Sequence, residues 1–460
     1  MKRQLLFIFT FCLIFYSENQ AATFFVAPTG NDTLNSGKIT SAFASIMHAQ
    51  QVVEAGDTVY IRGGKYFMTD SQIDRTQGIW AIVHLLNKSG REGKTINYWA
   101  YPGEKPVFDM SKVKPENKRI MVFNVTGSWI HIKGLEVIGT QVTILTHTQS
   151  ECFHNEGSHN IYEQLSMHDG QAIGFYLIKG SDNLILNCDA YRNYDFTSES
   201  GRGGNADGFG CHPQPGGTGN VFRGCRAWFN SDDGFDCIRA SETVTFDHCW
   251  AFNNGYSTDF KSLGDGNGFK AGGWGLVRDE RVPEKIPMHI IRFCVAVNNR
   301  ANGFYSNHQP GGSYWYNNTA YQNGTNFNML NRNADFSADV PGYNHVLKNN
   351  LSFEARTFET QHIDSSKCDI TYNSFTIPVK VSKSDFISLD QSQLTAPRKA
   401  DGSLPDIDFM KLKPGSDLID KGIDIGFPYK GKAPDLGAFE SQTISSVDIL
   451  KESTKLKNRK

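Results

Sequence analysis

Asn205-Ala-Asp207-Gly-Phe, Ser231-Asp232-Asp233-Gly-Phe-Asp236 and Asp265-Gly-Asn267-Gly-Phe-Lys270-Ala-Gly-Gly273 are three versions of one phrase, Asp/Asn-Gly-Phe-x, within residues 205–273. Ile173-Gly-Phe-Tyr176 and Asn302-Gly-Phe-Tyr305 extend the series on either side. A second phrase runs out of phase with it. Cysteine or asparagine, then x-Ala, an aromatic or valine, and x-Asn, occurs at 188–193, 225–230, 249–254, 294–299 and 318–323. Weaker copies begin at Gly134, Gln164, Asn350 and Asn373. Successive starts never fall closer than about 23 residues, which is one turn of a solenoid, and wider gaps are the same turn carrying a loop.

The units are short, rich in β-formers and punctuated by turns, with almost no helical spacing. They predict an all-β right-handed parallel β-helix over residues 23–378, with Phe, Ala and Cys stacked inside and asparagine ladders at the bends. Cys188, Cys225, Cys249 and Cys294 share one coil position and read as a ladder of free thiols. No Cys-x-x-Cys or Cys/His cluster points to a thiolate metal site.

Outward from the repeats, Thr23–Val26 reads as a strand, Ser41–Glu54 has apolar residues at helical spacing, and Thr58–Arg62 is again a strand. Residues 23–70 are therefore expected to form a helical N-terminal cap. Beyond Val379 the period fades, and residues 379–446 are expected to pack back along the coils and cover their exposed edge. The charged residues 447–460 read as a disordered tail.

Residues 1–22 place Lys2 and Arg3 before the apolar run Leu5–Tyr16 and end at Ala21-Ala22, the pattern of a secretory signal. Cys12 lacks the small neighbours of a lipoprotein signal, and no later segment is long and apolar enough to span a bilayer. The expectation is an exported monomer, secreted or periplasmic. A net charge of −2 over 460 residues gives no whole-surface reason to bind nucleic acid or an anionic membrane.

In a coiled register, Asp207, Asp233 and Asn267 form one column, and Asp236 and Lys270 a second. Phe points inward, so the residue after it points out. Asp207, Asp232, Asp233 and Asp236 then meet on one outer patch, where stacked carboxylates raise one another's pKa unless a cation is bound. Calcium, which takes six to eight hard oxygen ligands, is the natural resident. A single Asp-Gly is only a turn former; the group of four is what points to metal. Lys270 is flanked by Gly268, Gly272 and Gly273, read here as open space for a ligand. A neighbouring calcium would lower the Lys270 pKa and suit it to general-base work.

This combination resembles polysaccharide lyase family 9, the right-handed β-helical pectate and rhamnogalacturonan lyases. The likeness rests on the four aspartates, Gly-Phe-Lys270, the capping opening and the closing Asp435-Leu-Gly-Ala-Phe-Glu440. It implies Asp207, Asp232, Asp233 and Asp236 as calcium ligands and Lys270 as the base that removes a galacturonate C5 proton. The implied partner is an acidic pectic polysaccharide of plant cell walls. Homogalacturonan is favoured slightly over rhamnogalacturonan I, although the residues do not separate the two. Arg202, Arg239, Arg300, His308 and Tyr305 are candidate substrate contacts, with Trp274 a candidate sugar platform. A hydrolase of the polygalacturonase type would need Gly-His-Gly and Arg-x-Lys phrases that are missing. A non-catalytic, calcium-stabilised carbohydrate-binding solenoid would explain the aspartates but not Lys270.

Overall fold

The computed structural model describes residues 20–278 and 281–441. The expected signal falls outside them up to residue 19, as does the expected tail. Within them the chain winds through three parallel sheets of twelve, ten and eleven strands. One coil takes a strand from each sheet in turn. Ile161–Glu163, Ser166–His168 and Ile173–Leu177 make one coil, and Leu184–Leu186, Asp189–Tyr191 and Phe209–Cys211 make the next. Two short antiparallel pairs, at 75–86 and 331–340, are the exceptions among the named strands.

Both phrases fall in register. Phe175, Phe209, Phe235, Phe269 and Phe304 pair from strand to strand. Their rings stack inside, with centroids 4.8 Å apart between Phe209 and Phe235 and again between Phe235 and Phe269. Each fully buried Phe removes enough apolar surface from water to contribute on the order of 2 kcal/mol. Cys188, Cys225, Cys249 and Cys294 are fully buried, and all eight cysteines from Cys152 to Cys368 are free thiols.

The bends are held by asparagine ladders. Asn193 Nδ2 donates to Asn230 Oδ1, Asn230 to Asn254, Asn254 to Asn299 and Asn299 to Asn323, over 2.9–3.1 Å. The residue before each ladder asparagine (Arg192, Phe229, Asn253, Asn298, Gln322) has φ between 50° and 58°. A left-handed residue costs a side-chain-bearing position about 1 kcal/mol or more. Here it turns the chain sharply enough for the next side chain to point inward along the ladder.

The N-terminal helix is shorter than its periodicity suggested. It spans Ile46–Val52, because Ser45 is its N-cap and its hydroxyl accepts from His48 N. Ile46, Ala49 and Val53 join the same core as Val26, Val59 and Ile61 of the first strands.

Residues after 379 lie on the outer face of the ten-stranded sheet, rather than on a strand edge as expected. Leu394, Ile407, Phe409, Leu412 and Leu418 pack on Trp250, Val295, Val297, Tyr321 and Leu351. Arg398 anchors this segment through both Asp189 oxygens, at 2.6 and 3.1 Å, and through the carbonyls of Cys188 and Gly224. The face it covers is not the one that carries the aspartates, which stays open.

Candidate metal and catalytic site

The eleven-stranded sheet positions the site. The ladder of its entry turns is built from carboxylates and amides: Asp233 N donates to Asp207 Oδ1 at 3.0 Å, and Asn267 N and Nδ2 donate to Asp233 Oδ1 at 2.6 and 2.8 Å. Asn302 Nδ2 continues it onto Asn267. Past the phenylalanines, Tyr176, Gly210, Asp236, Lys270 and Tyr305 are paired neighbours in one outward row. The two expected columns are both present.

Carboxylate oxygens of Asp207, Asp232 and Asp233 come within 4.8 Å of one another, and all three residues are buried. Asp236 stands beside this triad. Its Oδ1 accepts from Ile238 N at 2.6 Å, and its Oδ2 lies 3.3 Å from Lys270 Nζ. Lys270 Nζ is also 3.0 Å from Asp233 Oδ2 and 3.7 Å from Asp265 Oδ2. Burial, then the neighbouring carboxylates, pushes Asp207 and Asp232 well above the usual range, and burial also raises Asp233. Burial alone would lower the Lys270 ammonium, but Asp233, Asp236, Asp232 and Asp207 outweigh it and hold it well above its ordinary value.

A cavity of about 540 Å³ opens over this cluster. Asp207, Asp232, Asp236, Lys270, Arg239 and Trp274 line it, with Tyr176, His212, Asp265 and Arg281. Of the other sequence-based candidates, Tyr305 is the neighbour of Lys270 on the next strand, its phenol pushed up to about 12 by burial. Arg300 Nη1 donates to the carbonyls of Gly264 and Asp265, bracing the loop that carries Asp265 from outside the cavity lining. His308 is turned to Asp339, with Nε2 3.1 Å from Oδ1, and Arg202 is exposed and outside the lining.

The glycines around Lys270 serve a different purpose from the one read in the sequence. A Cβ at Gly268 would lie 2.6 Å from Gly303 O, and one at Gly272 would lie 2.0 Å from Ser306 O. They let the next coil stack closely, and the open space comes from the cavity instead. Asp265, Tyr176 and His212 were not singled out from the sequence. Asp265 precedes the Gly-Asn267 turn, and Tyr176 follows a Gly-Phe pair, so the phrase itself carried a signal for both. His212 lies two residues past the outward position and carried none.

Comparison with known proteins agrees with this architecture. The family described as "Pel9A-like, right handed beta helix region" matches residues 24–353. Pectate lyase L of Dickeya dadantii is 36% identical over 425 residues, covering 91% of this chain and 90% of that protein. Pectate lyase PEL9 of Emericella nidulans is 30% identical over 86% of this chain and 94% of its own length. A solved rhamnogalacturonan lyase superposes with a TM-score of 0.83 at 47% identity, covering 86% of this chain and 97% of that one. The crystal structure of pectate lyase Pel9A gives a TM-score of 0.75 at 35% identity over 92% and 97%. The chain belongs to the Pel9A-like right-handed β-helix family, the lyases of polysaccharide lyase family 9.

Proposed function

We propose that this polysaccharide lyase is exported and calcium-dependent, and that it cleaves a galacturonate-containing pectic polymer by β-elimination, with Lys270 as the base. One observation carries the reading: Asp207, Asp232, Asp236 and Lys270 line a single cavity, with Asp233 buried beneath them 3.0 Å from the Lys270 amine. The donor set fits calcium. Asp207, Asp232 and Asp233 offer hard oxygens within reach of one ion, and Asp236 adds a fourth carboxylate beside them; burial and mutual repulsion raise the pKa values of Asp207, Asp232 and Asp233, and a bound cation would relieve both.

Bound calcium would neutralise both the substrate carboxylate, making the C5 proton more acidic, and the aspartate charge that holds a proton on Lys270. Lys270, as a free amine, takes the C5 proton. The electron pair left at C5 forms the C4–C5 double bond, the C4–O bond breaks, and the departing oxygen takes a proton from water. Arg239 lines the cavity where it meets an acidic polymer, and Asp265 stands over Lys270 on the solvent side.

Homogalacturonan is the slightly favoured substrate, although the residues themselves do not separate the two polymers. Against that, the 47% identity to a solved rhamnogalacturonan lyase, compared with 35% to Pel9A, favours rhamnogalacturonan I as a second reading. Among the described residues no helix is long and apolar enough to cross a membrane. The test is ultraviolet absorbance from unsaturated product ends on both polymers, with calcium and with chelator. Product that needs calcium supports the reading, and none on either polymer would refute it.

A further inference from the structure

Tyr176 occupies the outward row two strands before Asp236 and lines the cavity that holds the aspartates and Lys270. Two rings fix it. His154 stacks at 21° with centroids 5.9 Å apart, and His212 lies at 34° and 5.0 Å. The His154 ring is itself held, since Nδ1 is 2.5 Å from Glu151 Oε2 and Nε2 is 3.5 Å from Glu156 Oε1. With both faces engaged, the phenol presents its edge and its hydroxyl. That hydroxyl has no hydrogen-bond partner among the described residues, and the side chain is partly exposed.

His212 is fixed as firmly. Its Nδ1 lies 2.9 Å from Ile238 O, an atom that can only accept, so Nδ1 carries the proton. Burial lowers the ring's pKa and keeps it neutral, which leaves a lone pair on Nε2. Gly210 makes room for both groups: a Cβ there would lie 2.6 Å from the Tyr176 ring and 3.2 Å from His212 Nε2. A larger residue in the row between Tyr176 and Asp236 would push them apart. The result is a rigid pair beside the acidic cluster, one hydroxyl and one acceptor nitrogen, neither bonded to another of the described residues.

We infer that Tyr176 and His212 form a sugar-hydroxyl clamp, in which the Tyr176 hydroxyl and His212 Nε2 hydrogen-bond hydroxyl groups of a sugar unit adjoining the bond that is cut. The clamp rests on the proposed lyase reading and adds to it the residues that hold a sugar beside the acidic cluster. A sugar carries hydroxyls at fixed spacing, and a rigid donor–acceptor pair reads that spacing at little entropic cost. Groups positioned for a hydroxyl discriminate against a ligand that lacks one.

The test uses Tyr176→Phe, which keeps the stack and removes only the oxygen, and His212→Asn, which keeps a donor to Ile238 O and removes Nε2. Both are made in the full chain and again in a Lys270→Ala background, where binding of a pectic oligosaccharide is read by calorimetry without turnover. Each is expected to weaken oligosaccharide binding about three- to tenfold, with unchanged calcium binding and unchanged thermal unfolding. In the active background KM should rise by a similar factor with kcat changed less. Unaltered oligosaccharide affinity in both variants overturns the clamp while leaving the lyase reading in place. Absence of unsaturated product from the parent enzyme would instead defeat the lyase reading.

Discussion

Lys270 Nζ lies 3.0 Å from Asp233 Oδ2, an oxygen buried at the floor of the acidic cluster. Asp236, Asp207 and Asp232 add to the same attraction, so without a metal this lysine is the counter-ion of the aspartates and stays charged. A base must be neutral. The two roles exclude each other, and in the proposed mechanism a cation bound to the aspartates would move the lysine from one to the other.

Calcium should therefore stabilise the folded chain. A ligand at one hundred times its dissociation constant adds about 2.7 kcal/mol to a protein that binds it only when folded. Thermal unfolding is expected to shift upward with calcium and back with chelator. Asp207→Asn and Asp232→Asn should lose most of that shift, while their calcium-free forms unfold no earlier than the parent, because each removes a repelled carboxylate.

Above about pH 6.5 the calcium-free protein should lose stability as pH rises. Asp207 and Asp232 titrate above their unfolded values, so the folded state binds the extra protons. Their contribution is present in mild acid and falls away as pH climbs through the raised values. Burial would lower His154, but Glu151 and Glu156 outweigh it and push it up to about 9, so its contribution is full below about 6.5 and is lost between there and about 9. Melting temperatures in chelator should thus decline from about pH 6.5 to 9; below that range His84, His289 and His345, which burial lowers to about 4, 4 and 3, must stay neutral in the fold and pull the other way. Calcium should flatten the part due to the aspartates, and His154→Gln the part above pH 6.5.

The ladders predict a cost that has nothing to do with the site. Asn254 accepts from Asn230 N and Nδ2 and donates to Ala227 O and Asn299 Oδ1. Asn254→Ala leaves several buried polar groups without partners and should cost about 2–4 kcal/mol in denaturant unfolding. Whatever protein remains folded should keep its calcium affinity.

Arg398 ties the C-terminal segment to Asp189, which Arg226 also holds at 2.8 and 2.9 Å. Removing one partner from a buried ionic group typically costs about 3 kcal/mol or more. Arg398→Ala should expose residues 379–441 to limited proteolysis at concentrations that leave the parent intact, with the coils surviving as the resistant fragment.

Most of the fold was legible because a parallel β-helix writes its geometry into one dimension. Phe209, Phe235 and Phe269 recur at one coil position, as do Cys225, Cys249 and Cys294, and register follows from the recurrence alone. The same rule brought Asp207, Asp233, Asp236 and Lys270 together. What the sequence did not disclose lies where the rule stops. Arg300 follows the ladder residue Asn299 and His308 lies three residues past Tyr305, yet side-chain reach turns them to Gly264, Asp265 and Asp339. Gly210 interrupts the outward row with no side chain, which concealed the approach of Tyr176 and His212. The glycines near Lys270 looked like open space in one dimension and are close coil contacts in three.

The most direct test is Lys270→Ala assayed for unsaturated product ends and, in the same preparation, for calcium binding by calorimetry. Turnover should vanish, while calcium still binds and binds more tightly, since the competing ammonium is gone. Turnover at the parent's rate in Lys270→Ala would contradict the assigned base and with it the account of the site.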